Sequence, residues 1–194
     1  MQFDEDFRGF SFQKEGPLDM RMDQSTGVTA KEVVNGLSED ELGTIFKDLG
    51  EERFWRRGAR AIASARRIKP ITTTTELAAV IEKEIPRSEG IHPATRIFQA
   101  IRIYINKELE SIEGSLKKAI DVLAPGGKIG VLSFHSLEDR IVKNVFRDAA
   151  KSIKGLDKKP LLELLTKKPR IPTPGERRMN RRSRSAKLRF AEKI

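Results

Sequence analysis

The stretch from Leu123 to Arg140, Leu-Ala-Pro-Gly-Gly-Lys-Ile-Gly-Val-Leu-Ser-Phe-His-Ser-Leu-Glu-Asp-Arg, constrains the fold more than any other part of the chain. Pro125, Gly126 and Gly127 stop the helical pattern before them. Ile129, Val131, Leu132 and Phe134 then form an apolar run of the length expected for a strand buried on both faces. Ser136 stands where a helix N-cap belongs, with Asp139 three residues on in capping-box position, and Ile141, Val142, Val145 and Phe146 resume helical spacing. The pattern predicts a helix, a tight turn, a central strand and a second helix, as in an open α/β sheet. Ligands in such sheets bind beyond the carboxyl ends of the strands, here at Ser133, Phe134, His135 and Ser136. The paired glycines lie at the opposite end of the strand and read as a turn. A phosphate cradle needs its glycines after a strand.

The 194 residues hold one domain with an insertion or two small domains, and either can bury a core. A formal net charge of +10 favours a polyanionic partner, with nucleic acid the leading class. The competing reading is solubilising surface charge, since 34% of the residues are charged. The absence of cysteine excludes disulfides, a thiolate nucleophile and a cysteine-based zinc site. No apolar segment follows the acidic start, and none reaches membrane-spanning length, so a soluble, unsecreted protein is expected.

Near the start, Gly16-Pro-Leu-Asp-Met-Arg-Met-Asp23 would, if extended, put Asp19, Arg21 and Asp23 on one side and Leu18, Met20 and Met22 on the other. Such a face suits a polar cluster at a substrate or cofactor rim. It suits equally a loop tied down by internal Asp-Arg pairs. Arg21 between the acids argues against a metal. From Thr29 to Ile85 the pattern is helical, with capping boxes at Thr29/Glu32, Ser38/Glu41 and Thr73/Glu76. The apolar stripe Phe54, Gly58, Ala61, Ile62 and Ala65 faces away from Arg53, Arg56, Arg57, Arg60 and Arg67, a track suited to a phosphate backbone or to plain solvation. Trp55 beside it reads as packing or as a base-stacking platform. After Pro93 a long amphipathic helix is expected, broken near Gly114, with His92 as a capping residue. A strand at Leu188 and Phe190 is expected to close the chain, paired antiparallel with the run Leu161 to Leu165. The basic loop between them carries Arg177, Arg178, Arg181, Arg182 and Arg184, either as phosphate contacts or as a disordered segment.

These residues resemble one family, the RsmH/MraW methyltransferases. The matching motifs are Arg8-Gly-Phe-Ser-Phe12, Gly16 to Asp23, Gly50-Glu-Glu-Arg53, His92-Pro-Ala-Thr-Arg-Ile-Phe-Gln-Ala-Ile-Arg102, Ser133-Phe-His-Ser-Leu-Glu-Asp-Arg-Ile-Val-Lys143 and Arg182-Ser-Arg-Ser-Ala-Lys-Leu-Arg189. They run from end to end of the chain. The resemblance implies transfer of a methyl group from S-adenosylmethionine to N4 of a cytidine in the decoding region of 16S rRNA. It thereby implies a cytoplasmic enzyme acting on 16S rRNA or the small ribosomal subunit, with no membrane and no metal; a homodimer stays open. The implied fold is α/β, a partial class I (Rossmann-like) methyltransferase sheet with an inserted all-helical domain. Residues 1–27 would be a methyltransferase-domain segment, 28–88 the helical insertion and 89–194 the C-terminal half of the methyltransferase domain.

Gln2 falls at the position of a family cofactor-contacting glutamine, and the family's Gly-rich cofactor turn is absent, so the sequence resembles the C-terminal part of the family pattern. Methyl transfer from a sulfonium is an in-line displacement, in which the protein places the amine and excludes water. A group accepting the amine N–H would favour attack, and the resemblance makes Asp19, Asp23 and His135 the candidates. The candidate RNA contacts are Arg21, Ser136, Arg182 and Arg184, together with the helix-face track of Arg53, Arg56, Arg57 and Arg60. The alternative is a non-catalytic basic RNA-binding or ribosome-assembly module.

Overall fold

The computed structural model describes residues 6–87, 92–151 and 159–194, and the chain divides into two compact units, Met1–Lys107 and Glu108–Ile194. Among the described residues no helix is long and apolar enough to cross a membrane. The first unit holds α1 (Ala30–Gly36), α2 (Glu39–Asp48), α3 (Trp55–Ile68), α4 (Thr74–Glu84) and α5 (Ala94–Asn106). The three capping boxes form as the sequence predicts, at Thr29/Glu32, Ser38/Glu41 and Thr73/Glu76. In the last of these the Lys69 ammonium, with the amide and hydroxyl of Thr72, pulls the Glu76 carboxyl down to about 2. The apolar stripes then meet: Leu42 and Phe46 of α2, Ile62 of α3, Leu77 and Ile81 of α4, and Ile97 and Ile101 of α5 share one buried core.

His92 acts as the expected capping residue, its Nδ1 accepting from the Ala94 amide at 3.1 Å. The long helix, however, breaks at Lys107 and not near Gly114, which lies inside α6 (Glu108–Val122). Lys107 is left-handed, with φ 47° and ψ 40°. A helical glycine costs only about 1 kcal/mol relative to alanine, too little to end a helix. At the break the Asn106 side chain bonds to backbone far away in sequence, at Met20 and Met22.

The second unit contains α6, β1 (Lys128–Ser133), α7 (Ser136–Ala149), β2 (Leu162–Leu164), α8 (Pro174–Met179) and β3 (Lys187–Lys193). The strands form an antiparallel sheet in the order β1-β3-β2. The terminal strand pairs with the Leu161 run as expected, and it also pairs with β1 along its whole length, from Lys128 opposite Glu192 to Ser133 opposite Lys187. Leu116 and Ile120 of α6 and Val142, Val145 and Phe146 of α7 pack with Leu162 and Ala191, and Ile129 and Val131 lie against this cluster.

The expectation that β1 is buried on both faces is corrected here. The two helices cover only the side of Ile129 and Val131, leaving Leu132 52% exposed on the other. Among the described strands β1 pairs with β3 alone, on one edge. Gly130 is required on the open face because the Phe190 ring of β3 lies across it, and a Cβ there would come within 2.6 Å of the ring. The basic loop before β3 folds as α8, capped by Thr173, and a 3-10 turn at Arg181–Ser185.

Candidate functional site

The segment Gly16–Asp23 is not one extended strand. Met20 is left-handed (φ 60°) and, with Leu18, buried, whereas Met22 is exposed. Asp19 accepts from Arg21 through both carboxylate oxygens, Nε at 2.7 Å and Nη2 at 2.9 Å, and again from the Arg21 amide at 3.1 Å. The Arg21 guanidinium therefore holds the Asp19 carboxyl below its ordinary range, against the effect of burial. Asp23 accepts from the amide and hydroxyl of Ser25, at 2.9 and 2.6 Å, and these bonds lower its carboxyl as well. Both acids are acceptors already engaged by their own loop, Asp19 in the Asp-Arg pair that the sequence offers as one reading and Asp23 instead with Ser25. Asp23 is the exposed one of the two.

Asn106 holds this loop from α5. Its Nδ2 donates to Met20 O at 2.8 Å and its Oδ1 accepts from Met22 N at 2.7 Å. One side chain thus satisfies backbone groups on both sides of Arg21. Sequence reasoning missed it, because an asparagine closing an amphipathic helix carries no sign of a partner more than eighty residues away.

The arginine face of α3 is aimed by the turn that precedes it. Gly50 admits no side chain: a Cβ would meet Arg96 O and Phe46 O, each at 2.7 Å. Buried Glu52 accepts from the Phe54 amide at 2.8 Å and fixes the first turn of the helix. Arg53, Arg56, Arg57 and Arg60 all project into solvent. Arg56 stacks on Trp55 with its guanidinium carbon 4.0 Å from the ring centroid, and Arg53 and Arg57 lie 5.6 and 5.4 Å from that of Phe54. Arg60 has a long contact to Glu39, 3.6 Å. Arg66 turns inward instead, donating to Val34 O at 2.7 Å.

In the second unit the N-cap of α7 is His135 and not Ser136. The His135 Nδ1 accepts from the Glu138 amide at 3.3 Å, and Glu138 Oε2 accepts from the amides of Phe134 and His135 at 2.7 and 3.2 Å. The sequence placed the box one residue late because Ser136 and Asp139 fit the same spacing. His135 is extended at φ −140° and ψ 168°, and that backbone conformation decides the cap. Burial raises the Glu138 carboxyl, but the His135 ring and the Phe134 amide outweigh it and leave it lowered.

With Nδ1 accepting, the ring proton sits on Nε2. That nitrogen is buried, 3.1 Å from Glu138 Oε1, but not aligned for a hydrogen bond. Glu108 completes a group of three possible ligand side chains with His135 and Glu138. Freed from capping, Asp139 pairs with Arg189 of β3 through Nε at 2.6 Å and Nη2 at 3.0 Å, which holds its carboxyl below the ordinary range. Ser136 opens α7, and Arg182 and Arg184 lie exposed on the 3-10 turn.

Gln2 lies outside the described residues. Gly126 and Gly127 spend their amides on Lys193 O and Ala124 O, at 2.8 and 2.9 Å, so this turn offers no free donors to a cofactor.

Comparison with known proteins bears on all of these residues. A curated protein named ribosomal RNA small subunit methyltransferase H from Protochlamydia amoebophila is 50% identical over all of this chain and 65% of its own length. Proteins of the same name from Acaryochloris marina and Carboxydothermus hydrogenoformans are 51% and 50% identical over 62% and 65% of theirs. The chain thus spans a little under two thirds of the relatives it matches. The pattern describing the MraW methylase family matches residues 1–194, taking in the Asp19 loop, the α3 arginines and the His135 cap alike, and the chain belongs to that family.

Proposed function

We propose that the chain works as part of an S-adenosylmethionine-dependent methyltransferase that modifies N4 of a cytidine in the decoding region of 16S rRNA. The family match across residues 1–194 is the observation that carries this reading. The finer fold assignment goes with it: a class I sheet, of which β1, β3 and β2 form one side, with the helical insertion at 28–88 and methyltransferase segments at 1–27 and 89–194. The free edge and open face of β1 suit continuation of such a sheet. The substrate would be 16S rRNA, free or in the small subunit, which makes the cytoplasm the site of action.

The chemistry assigned to this chain is confined to the amine and the RNA. A cytidine amine is a poor nucleophile because its lone pair is delocalised into the ring, and an ionised acceptor on its N–H raises its reactivity. Asp23 is the better candidate acceptor, being exposed and held ionised by neutral donors. Asp19, gripped by Arg21, shapes the loop. His135 supports the turn after β1 through its cap, bringing Ser136 to the start of α7. Arg53, Arg56, Arg57, Arg60, Arg182 and Arg184 hold phosphates while the base is turned out.

The test is nucleoside mass spectrometry of 16S rRNA from cells whose gene for this protein is deleted or carries Asp23→Asn. Deletion should abolish N4-methylation at the decoding site, and the substitution should reduce it at least tenfold. Full methylation in the deletion strain would overturn the proposal. The exposed arginines of α3 and of the turn before β3 also fit a second reading, a non-catalytic RNA-binding or ribosome-assembly module. That reading predicts retained methylation with defective small subunits.

A further inference from the structure

Beside the arginine face, α3 and α4 enclose an open groove of about 450 Å³. Ala61, Ala65 and Val80, all partly buried, give it an apolar floor, and Arg57, Arg60 and Lys83 stand exposed around it. The small side chains of α3 leave the space, since a leucine at either alanine would fill it. The volume falls in the range of about 300–1,000 Å³ typical of small-ligand sites. A surface serving only phosphates would need no apolar floor and would keep carboxylates away, yet Glu84 also lines the groove. A flat, partly apolar group carrying N–H donors, with anionic charge on either side, matches all of these features. An unpaired nucleotide in an RNA strand is such a group.

We propose that the α3–α4 groove is a subsite for one unpaired RNA nucleotide, with its base on Ala61, Ala65 and Val80 and its flanking phosphates on Arg57, Arg60 and Lys83. This rests on the RNA-binding part of the proposed function and adds a base contact to the phosphate track. Glu84 accepts from the base N–H groups, as carboxylates do from exocyclic amines. Duplex RNA keeps its bases stacked and cannot enter.

Fluorescence anisotropy with two labelled probes, a cytidine hexamer and an abasic ribose-phosphate hexamer of equal charge, tests the subsite on the full chain. The cytidine hexamer should bind about tenfold tighter than the abasic one, since a base face laid on aliphatic side chains removes apolar surface from water. Ala61→Leu should remove that advantage and leave the salt slope unchanged. Arg57→Ala/Arg60→Ala should weaken both probes and reduce the slope of log K against log salt by about 1.4, at about 0.7 per phosphate contact on a single strand. Equal binding of the two probes, or wild-type affinity of Ala61→Leu, would overturn the subsite. If the arginine variant also binds as wild type, the RNA track of the proposed function falls with it; if only the arginine variant weakens, the track stands and the groove alone is rejected.

Should Ala61→Leu disturb folding, by circular dichroism, the unaltered protein decides. A hexamer containing 5-iodocytidine should photo-crosslink to residues 57–65 or 80–84. Crosslinks confined to other segments would count against the groove.

Discussion

In the first unit the side chains with no exposure at all are apolar but for Thr74, among them Leu42, Phe46, Ile62, Leu77 and Ile97, and the buried carboxylate Glu52 sits in the turn before α3, apart from them. In the second, the buried contacts between α7 and the sheet include Asp139 and Arg189, at 8% and 7% exposure, beside a much smaller apolar cluster. Five helices can enclose a core from several sides. Three strands covered on one face by α6 and α7 cannot, and a bidentate ion pair does part of the fastening. A dry core tolerates conditions that change charge, whereas a buried pair responds to pH and fails badly when one partner is lost.

The largest expected effect tests the apolar half of this contrast. Phe46→Ala should destabilise the first unit by about 3–5 kcal/mol. Denaturant unfolding followed by Trp55, the chain's one tryptophan, reports that unit, and a loss below about 1 kcal/mol would break the contrast. Asp139→Ala should cost the second unit about 3 kcal/mol by leaving Arg189 buried and unpaired, seen as faster amide exchange in α7 and β3. Asp139→Leu with Arg189→Met should recover most of that loss.

The pair also predicts an acid response. Arg189 lowers the Asp139 carboxyl in the folded state, so its contribution is complete above the ordinary carboxyl value of 3.8 and is lost as pH falls through the lowered folded value. Asp139→Asn should remove that part of the acid dependence, measured as α7 exchange against pH.

A smaller effect is expected at Asn106. Asn106→Ala should open the Asp19–Asp23 loop by about 1–3 kcal/mol through unsatisfied backbone groups, read as faster exchange of the Met22 amide. Asn106→Asp should do the same, because a carboxylate cannot donate to Met20 O. The smallest is Thr73→Ala, about 1 kcal/mol from loss of the α4 cap, with fraying confined to its first turn.

Local features were legible. Four residues carry the information for a capping box, which is why the boxes of α1, α2 and α4 could be read directly. At α7 two registers share the capping-box spacing, Ser136/Asp139 and His135/Glu138, and only backbone geometry separates them. The arginine face of α3 follows from helical periodicity, but not the stacking of Arg56 on Trp55 or the inward turn of Arg66 to Val34. The Asp19–Arg21 pair lies two residues apart and was visible as one of two readings. Asn106, reaching back to Met20, was not.

The sequence by itself determined most of the helices, the caps of α1, α2 and α4, the turn before β1, the basic character of the surface and, through its motifs, the family. Only the tertiary structure decided that β1 lies against β3 with one face open, that the Asp139 side chain reaches from α7 to Arg189, and that the long helix stops at Lys107. The reason is range. Propensity and capping act within a turn or two of the chain, whereas burial and ion pairing depend on partners fifty or more residues away, which no local pattern specifies.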